Sequence, residues 1–255
     1  MRYTARLSAF ALALAASAVV VQPAMASEGG TVFGSAWIDA NEDGIRQTDE
    51  KPLANFTFLV PGVYYAGTTD ENGNYKIENV PAGTRVVTLF ARGTWTFTKG
   101  GGDSDFDPST LQTRQFTLTE GGQAGPFNAG MVEYRPDATV TDVDVPRFMR
   151  VGEQVNIDVT YTNTGNAPNP LYGTATLPDG LTPLSTNAPV PWIDGQKVYM
   201  SSMYQPDVHL GESVTYTIVA RVDKQIRRGE IVVTEDQYGD VNPSDNVKKV
   251  KVWAF

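Results

Sequence analysis

Gln154-Val155-Asn156-Ile157-Asp158-Val159-Thr160-Tyr161 places an apolar side chain at every second position and a polar one between. A repeat of two is the repeat of a β-strand, whose successive side chains point to opposite faces, so this stretch reads as a strand with one face on a core. Val214, Tyr216, Ile218, Ala220 and Val222 repeat the pattern. Phe56, Phe58 and Val60 do so earlier, as do Tyr75 with Ile77 and Phe116 with Leu118. No segment sustains an apolar stripe of period 3.6, which predicts almost no helix. Turn residues separate the runs: Pro61-Gly62, Asn72-Gly73, Gly121-Gly122, Asn166-Ala167-Pro168 and Asp179-Gly180. Such residues supply the positive or preset φ that a reversing chain requires. The pattern predicts an all-β protein of two consecutive β-sandwich modules.

The ends and the composition narrow the classes. Arg2 and Arg6 precede an apolar run from Leu7 to Val21, and Ala24-Met25-Ala26 offers a peptidase site. Residues 1–26 therefore read as a signal peptide, which predicts a secreted chain, extracellular or held at the cell surface. No other stretch of the 255 residues is apolar enough to span a bilayer. Loss of Arg2 and Arg6 leaves 18 basic side chains against 29 acidic ones. That balance argues against nucleic acid as a partner, because phosphate binding requires clustered Lys and Arg. There is no cysteine, which excludes thiol catalysis, cysteine-bound zinc and the disulfides that export normally permits. His209 is the single histidine, so a histidine dyad is impossible and no nucleophile stands in a recognisable setting. The chain is not expected to be an enzyme.

A boundary falls where the strand pattern stops and restarts. Residues 28–132 form the first module, 133–137 a linker containing Pro136, and 138–255 the second module. A linker this short predicts a fairly rigid pair rather than two freely tumbling bodies.

The segment from Asp39 to Glu50 carries the chemistry. Asp39, Asn41 and Asp43 stand two apart, Gly44 follows at the sixth place, Ile45 can offer its backbone carbonyl at the seventh, and Glu50 closes at the twelfth. This is the ligand order of an EF-hand calcium loop. Calcium is a hard cation that takes six to eight oxygens at roughly 2.3–2.6 Å, and crowded carboxylates repel one another until a cation neutralises them. The flanks are wrong for helices, since residues 32–38 read as a strand and Pro52 follows, so the loop joins strands. The competing account is a solvated acidic turn. A second cluster, Asp103-Ser104-Asp105-Phe106-Asp107, follows three glycines and either completes this site, forms another, or is a charged hairpin tip.

These residues resemble the B-type repeat of serine–aspartate repeat (Sdr) surface proteins of staphylococci, related to the B-type domains of collagen adhesins. The carriers are Gly34, Trp37, Asp39, Asn41, Asp43, Gly44 and Glu50, then Thr69, Asp70, Gly73 and Tyr75, then residues 80–84, then 103–108. The resemblance covers nearly all of the first module. It implies a calcium-rigidified sandwich in which Asp39, Asn41, Asp43 and Glu50 hold the ion, with Asp103 and Asp105 as further ligands. Gln47-Thr48 departs from the family's usual Gln-Asp, which could weaken a site. Related pilin domains cross-link a lysine to an asparagine; the opening strand here has no lysine, so no such bond is expected. Residues 138–255 more loosely resemble the immunoglobulin-like repeats of bacterial surface proteins. Their carriers are residues 159–167, 176–182 and 240–247. In the last of these, Asp240, Asn242 and Asp245 read as caps of the turns before the final strand rather than as metal ligands.

The function expected is a calcium-binding structural or adhesive surface protein, a monomer whose partner is an unknown extracellular protein or glycan. The alternative is a carbohydrate-binding module that stacks sugars on Tyr64, Tyr65, Trp95, Trp192, Tyr199 or Tyr204.

Overall fold

The computed structural model describes residues 29–63, 65–90, 93–203 and 207–255. The signal-peptide reading of residues 1–26, and Tyr64 and Tyr204 among the aromatic candidates, lie outside them. Every regular element described is a strand, and no helix among these residues is long and apolar enough to cross a membrane.

Among the described residues no sheet takes strands from both sides of the linker. In the first module the opening strand Gly30–Ile38 pairs antiparallel with Asn74–Val80. Along its other edge the chain runs parallel as two segments, Gln123–Ala124 and Ala129–Glu133, and Trp95–Phe97 adds outside the latter. The facing sheet orders Tyr65–Thr68, Thr57–Val60, Thr88–Leu89, Gln112–Thr113 and Phe106–Asp107, all antiparallel. Inward side chains of the two sheets meet in an aromatic core. Phe58 stacks on Tyr75 at 4.3 Å between ring centroids, Phe97 stacks on Phe106 at 4.3 Å, and Ile77, Ala36 and Met131 fill the remainder. Burying each large apolar side chain stabilises by roughly 1.5–3 kcal/mol, so this core carries the module without disulfides.

The second module packs a four-stranded sheet on a six-stranded one. The first orders Ala138–Asp144, Gln154–Asn163, Ser213–Val222 and Leu181–Thr186. The second orders Phe148–Met149, Val247–Ala254, Ile226–Glu235, Tyr172–Thr176, Lys197–Ser201 and Trp192–Asp194. Val155, Ile157, Val159 and Tyr161 all face the core, as their spacing requires, opposite Ala175, Val198, Ile231 and Val233.

The linker is bound on both sides. Tyr134 N donates to Thr94 O in the first module. Its hydroxyl donates to Asn169 Oδ1 in the second at 2.6 Å. Asn166 accepts from Arg135 N at 2.8 Å and donates to Glu133 O at 2.9 Å. Thr164 N and Gly165 N both donate to Asp137 O. Backbone groups that would otherwise need water are thus paired with a fixed partner, which limits rotation about the linker.

Candidate metal centre

The loop of residues 39–50 leaves the opening strand and returns beside it. Ile38 N donates to Lys51 O at 2.8 Å and Leu53 N to Ala36 O at 3.0 Å, so its two ends are pinned together. Inside, the loop is organised by its own acids. Asp39, only 2% exposed, accepts Gly44 N at 2.8 Å on Oδ2 and Asp43 N at 3.3 Å on Oδ1. Asp43 Oδ1 accepts Ile45 N at 2.8 Å, while its Oδ2 accepts the amide nitrogens of Asn41 and Gln47, each at 2.9 Å. Glu50 reaches back across the loop: Oε1 accepts Ala40 N at 2.9 Å and Oε2 accepts Gln47 N at 3.0 Å. The Ile45 N–H, helped by the two side-chain amides and Lys99, holds the Asp43 carboxyl below its ordinary range.

The second acidic segment meets the first at Gly44. Asp103 N and Ser104 N both donate to Gly44 O, and Arg46 N donates to Asp103 Oδ2 at 2.9 Å. Gly44 has φ +79°, and a Cβ there would stand 2.9 Å from Gly101 O; one on Gly102 would stand 2.8 Å from Gly44 O. Only glycine on both sides lets the two backbones approach this closely. Asp105 is aimed elsewhere. Its Oδ2 accepts Asn128 N at 2.7 Å, fixing the turn that enters Ala129–Glu133. Of the residues singled out from the sequence, Asp39, Asn41, Asp43, Ile45, Glu50 and Asp103 take part in hydrogen bonds within or onto the loop, while Asp105 bonds to Asn128.

The donors suit a hard cation: they are all oxygen, three of them carboxylates on one short loop. As placed they satisfy backbone N–H groups, and among the described residues no three His, Cys, Asp or Glu side chains are gathered as a metal-holding group. One atom remains unpaired. Gln47 Oε1 is buried and has no hydrogen-bond partner, while its amide nitrogen is fixed on Asp43. Gln47 stands at the ninth place of the loop, where an EF-hand supplies a ligand, often through water. In the sequence it stood out only as part of a departure from the family. The signal that could have found it is the continuation of the every-second-residue series 39, 41, 43, 45 to 47.

The family model of the SdrD B-like domain matches residues 31–131. The first module is an SdrD B-like domain. Colossin-A of Dictyostelium discoideum is 36% identical to the chain over 90 residues, 33% of this chain and 1% of that protein. Serine-aspartate repeat-containing protein I of Staphylococcus saprophyticus is 36% identical over 55 residues, 20% of this chain and 3% of that protein. The chain thus spans only a small part of the curated relatives that its SdrD B-like domain matches. Among solved structures, the full-length RrgB pilus protein of Streptococcus pneumoniae is 11% identical, with a TM-score of 0.34, over 84% of this chain and 50% of that one. The CARDB domain of a Pyrococcus furiosus protein, solved with di-metal ions, is 17% identical with a TM-score of 0.31, over 48% of this chain and 90% of that one.

The described aromatic candidates fall in both modules. Trp192 is 61% exposed and stacks on Tyr199 at 4.6 Å in the second module. Trp95 packs edge-on against Phe56 in the SdrD B-like domain, and Tyr65 stands exposed on a strand of that module.

Proposed function

We propose that the chain is a secreted structural or adhesive protein of the bacterial surface whose SdrD B-like domain is stiffened by calcium in the loop of residues 39–50. The observation that carries this reading is the buried, unpaired Gln47 Oε1 in a loop that already contains Asp39, Asn41, Asp43 and Glu50. An acceptor buried without a donor costs about 1–3 kcal/mol, and a cation would relieve that cost and the repulsion between carboxylates together. The residues that would hold the ion are Asp39, Asn41, Asp43, the backbone carbonyl of Ile45, and Glu50, with Gln47 and Asp103 at its margin. Bound calcium supplies positive charge and oxygen coordination, not reaction chemistry. Asp39 and Glu50 lie at the two pinned ends of the loop, so a common ligand would fasten the opening strand to the segment that follows it.

Ion binding to the folded form alone adds about 2.7 kcal/mol at a hundredfold excess over the dissociation constant. That is large against a typical margin of about 5–15 kcal/mol and compensates for the missing disulfides. The test is a thermal melt of the full chain in calcium and in chelator, with calorimetric titration. A midpoint unchanged by chelator, and no heat on titration, would sink the reading.

A second reading, carbohydrate binding, is supported by the exposed Trp192. Its stacking on Tyr199 leaves one indole face for a sugar ring. A glycan array compared with its Trp192→Ala counterpart separates the two readings.

A further inference from the structure

The second module contains a buried knot of oxygen atoms at the end of the linker. Residues 236–246 join the strands Ile226–Glu235 and Val247–Ala254 and fold back onto residues 136–139. Val241 N donates to Pro136 O at 3.0 Å, Ala138 N to Asp240 Oδ2 at 3.0 Å, and Thr139 Oγ1 to Asp245 O at 3.1 Å. These bonds carry Asp240 and Asp245 to Asp137, which is remote from both in sequence. Asp240 and Asn242 do cap turns here, since Asn242 N donates to Asp240 Oδ1 and Ser244 Oγ to Asn242 Oδ1. Capping leaves several other oxygens unaccounted for.

Four side-chain oxygens in this knot are buried and accept no hydrogen bond: Asp137 Oδ1, Gln237 Oε1, Asp245 Oδ1 and Asn246 Oδ1. Asn246 is only 8% exposed, and its amide nitrogen is fixed on Glu235 Oε2 at 3.2 Å, which leaves its oxygen buried with no donor. Glu235 is itself only 4% exposed and otherwise accepts Gln237 N at 2.8 Å. The charged neighbours felt most strongly are acidic, Asp240 and Asp245 at Asp137, and Asp240, Asp236 and Asp137 at Glu235, while the Thr164 hydroxyl at the first and the Gln237 N–H at the second favour the carboxylate.

Buried acceptors are nearly always paired, so four together call for a common partner. Water could donate hydrogen bonds but would leave the negative charge in place. A hard divalent cation supplies what both the carboxylates and the amide oxygens lack. We propose that Asp137, Gln237, Asp245 and Asn246, backed by Asp240 and Glu235, form a second calcium site that fastens the linker to the last hairpin loop. Among the described residues no three His, Cys, Asp or Glu side chains are gathered as a metal-holding group; binding would draw Asp137 and Asp245 together while the two amides complete the shell. The site is independent of the loop in the SdrD B-like domain.

The test uses the full chain with calcium alone as the probe. Bound calcium is counted by native mass spectrometry for the wild type, Asp245→Asn, and Asp137→Asn with Asp245→Asn, folding being checked by circular dichroism. The double variant is expected to hold one ion fewer than the wild type. An equal count overturns the proposal. Melting provides a second readout that survives poor binding stoichiometry. In chelator Asp245→Asn is expected to melt no lower than the wild type, because it removes repulsion, and in calcium it gains less than the wild type does. An equal gain, or a lower melt in chelator, overturns it. Should Asp39→Ala with Asp43→Ala abolish every ion, the site also fails, while the reading of the first loop would stand.

Discussion

Arg135 grips Glu42 through two parallel hydrogen bonds, Nη1 to Oε1 at 2.8 Å and Nη2 to Oε2 at 3.0 Å, and so ties the linker to the acidic loop of the SdrD B-like domain. Glu42 occupies the fourth place of that loop, between Asn41 and Asp43. An ordered loop therefore presents Glu42 to the linker, and a disordered one would not. The pair is half exposed, so its direct worth is about 0–1 kcal/mol and falls with salt. Glu42→Gln is expected to move the melting midpoint by no more than a degree or two. It should widen the distribution of distances between spin labels placed on the two modules, and an unchanged distribution would refute the coupling. Arg135 holds the Glu42 carboxyl below its ordinary range in the fold. The contribution is thus present above the unfolded carboxyl's pKa and is lost as pH falls through the lowered folded value.

Gly44 separates the cost of backbone conformation from that of crowding. Gly62 also has positive φ, at +81°, but a Cβ there meets nothing within 4 Å. Gly62→Ala should cost about 1–2 kcal/mol, the left-handed strain alone. Gly44→Ala adds contact with the backbone oxygens of Gly101 and Lys99, so it should cost clearly more and also blunt any stabilisation by calcium. Chemical denaturation of both variants, with and without calcium, provides the comparison. Equal costs would mean that the two loops are free to separate.

Asp39 distinguishes organising the loop from holding an ion. Asp39→Ala leaves the Gly44 N–H buried with no acceptor, a loss of about 1–3 kcal/mol even in chelator. Asp39→Asn keeps an oxygen for Gly44 N, gives up only the longer bond from Asp43 N, which Asn41 Oδ1 also accepts, and removes the charge. It should melt close to the wild type in chelator and fall behind only in calcium. If both substitutions behave alike in chelator, the side-chain hydrogen bonds are not what shapes the loop.

How much of this was legible beforehand follows from sequence distance. Val155, Ile157, Val159 and Tyr161 gave their strand away because a single buried face stamps its period on neighbouring residues. Asp39, Asn41, Asp43 and Glu50 were legible for the same reason, being ligand candidates on one short segment. The parallel pairing of the opening strand with Gln123–Ala124 and Ala129–Glu133 had no local signature, since nothing in either segment names its partner. Asp103 and Asp105 looked alike in sequence. They diverge because the glycines let Asp103 meet Gly44, while Asp105, at the entry to the strand Phe106–Asp107, accepts Asn128 N. Asp240 and Asp245 read as turn caps, and only the fold brings the half-buried Asp137 near them.

His209, the single histidine, makes a contact that constrains its proton. Its Nδ1 lies 2.6 Å from the carbonyl oxygen of Ser109, across from the second module to the SdrD B-like domain. A carbonyl oxygen can only accept, so Nδ1 must carry hydrogen, either in the neutral Nδ1–H form or in the imidazolium. The more common Nε2–H tautomer would set two lone pairs against each other. Long-range nitrogen–proton NMR spectra should therefore show a hydrogen on Nδ1. An Nε2–H tautomer would mean that the contact does not persist in solution. If it does persist, His209→Ala removes a second tie beside the one between Glu42 and Arg135. Combining His209→Ala with Glu42→Gln should then broaden the intermodule distances more than either substitution alone, because both constrain the same rotation about the linker.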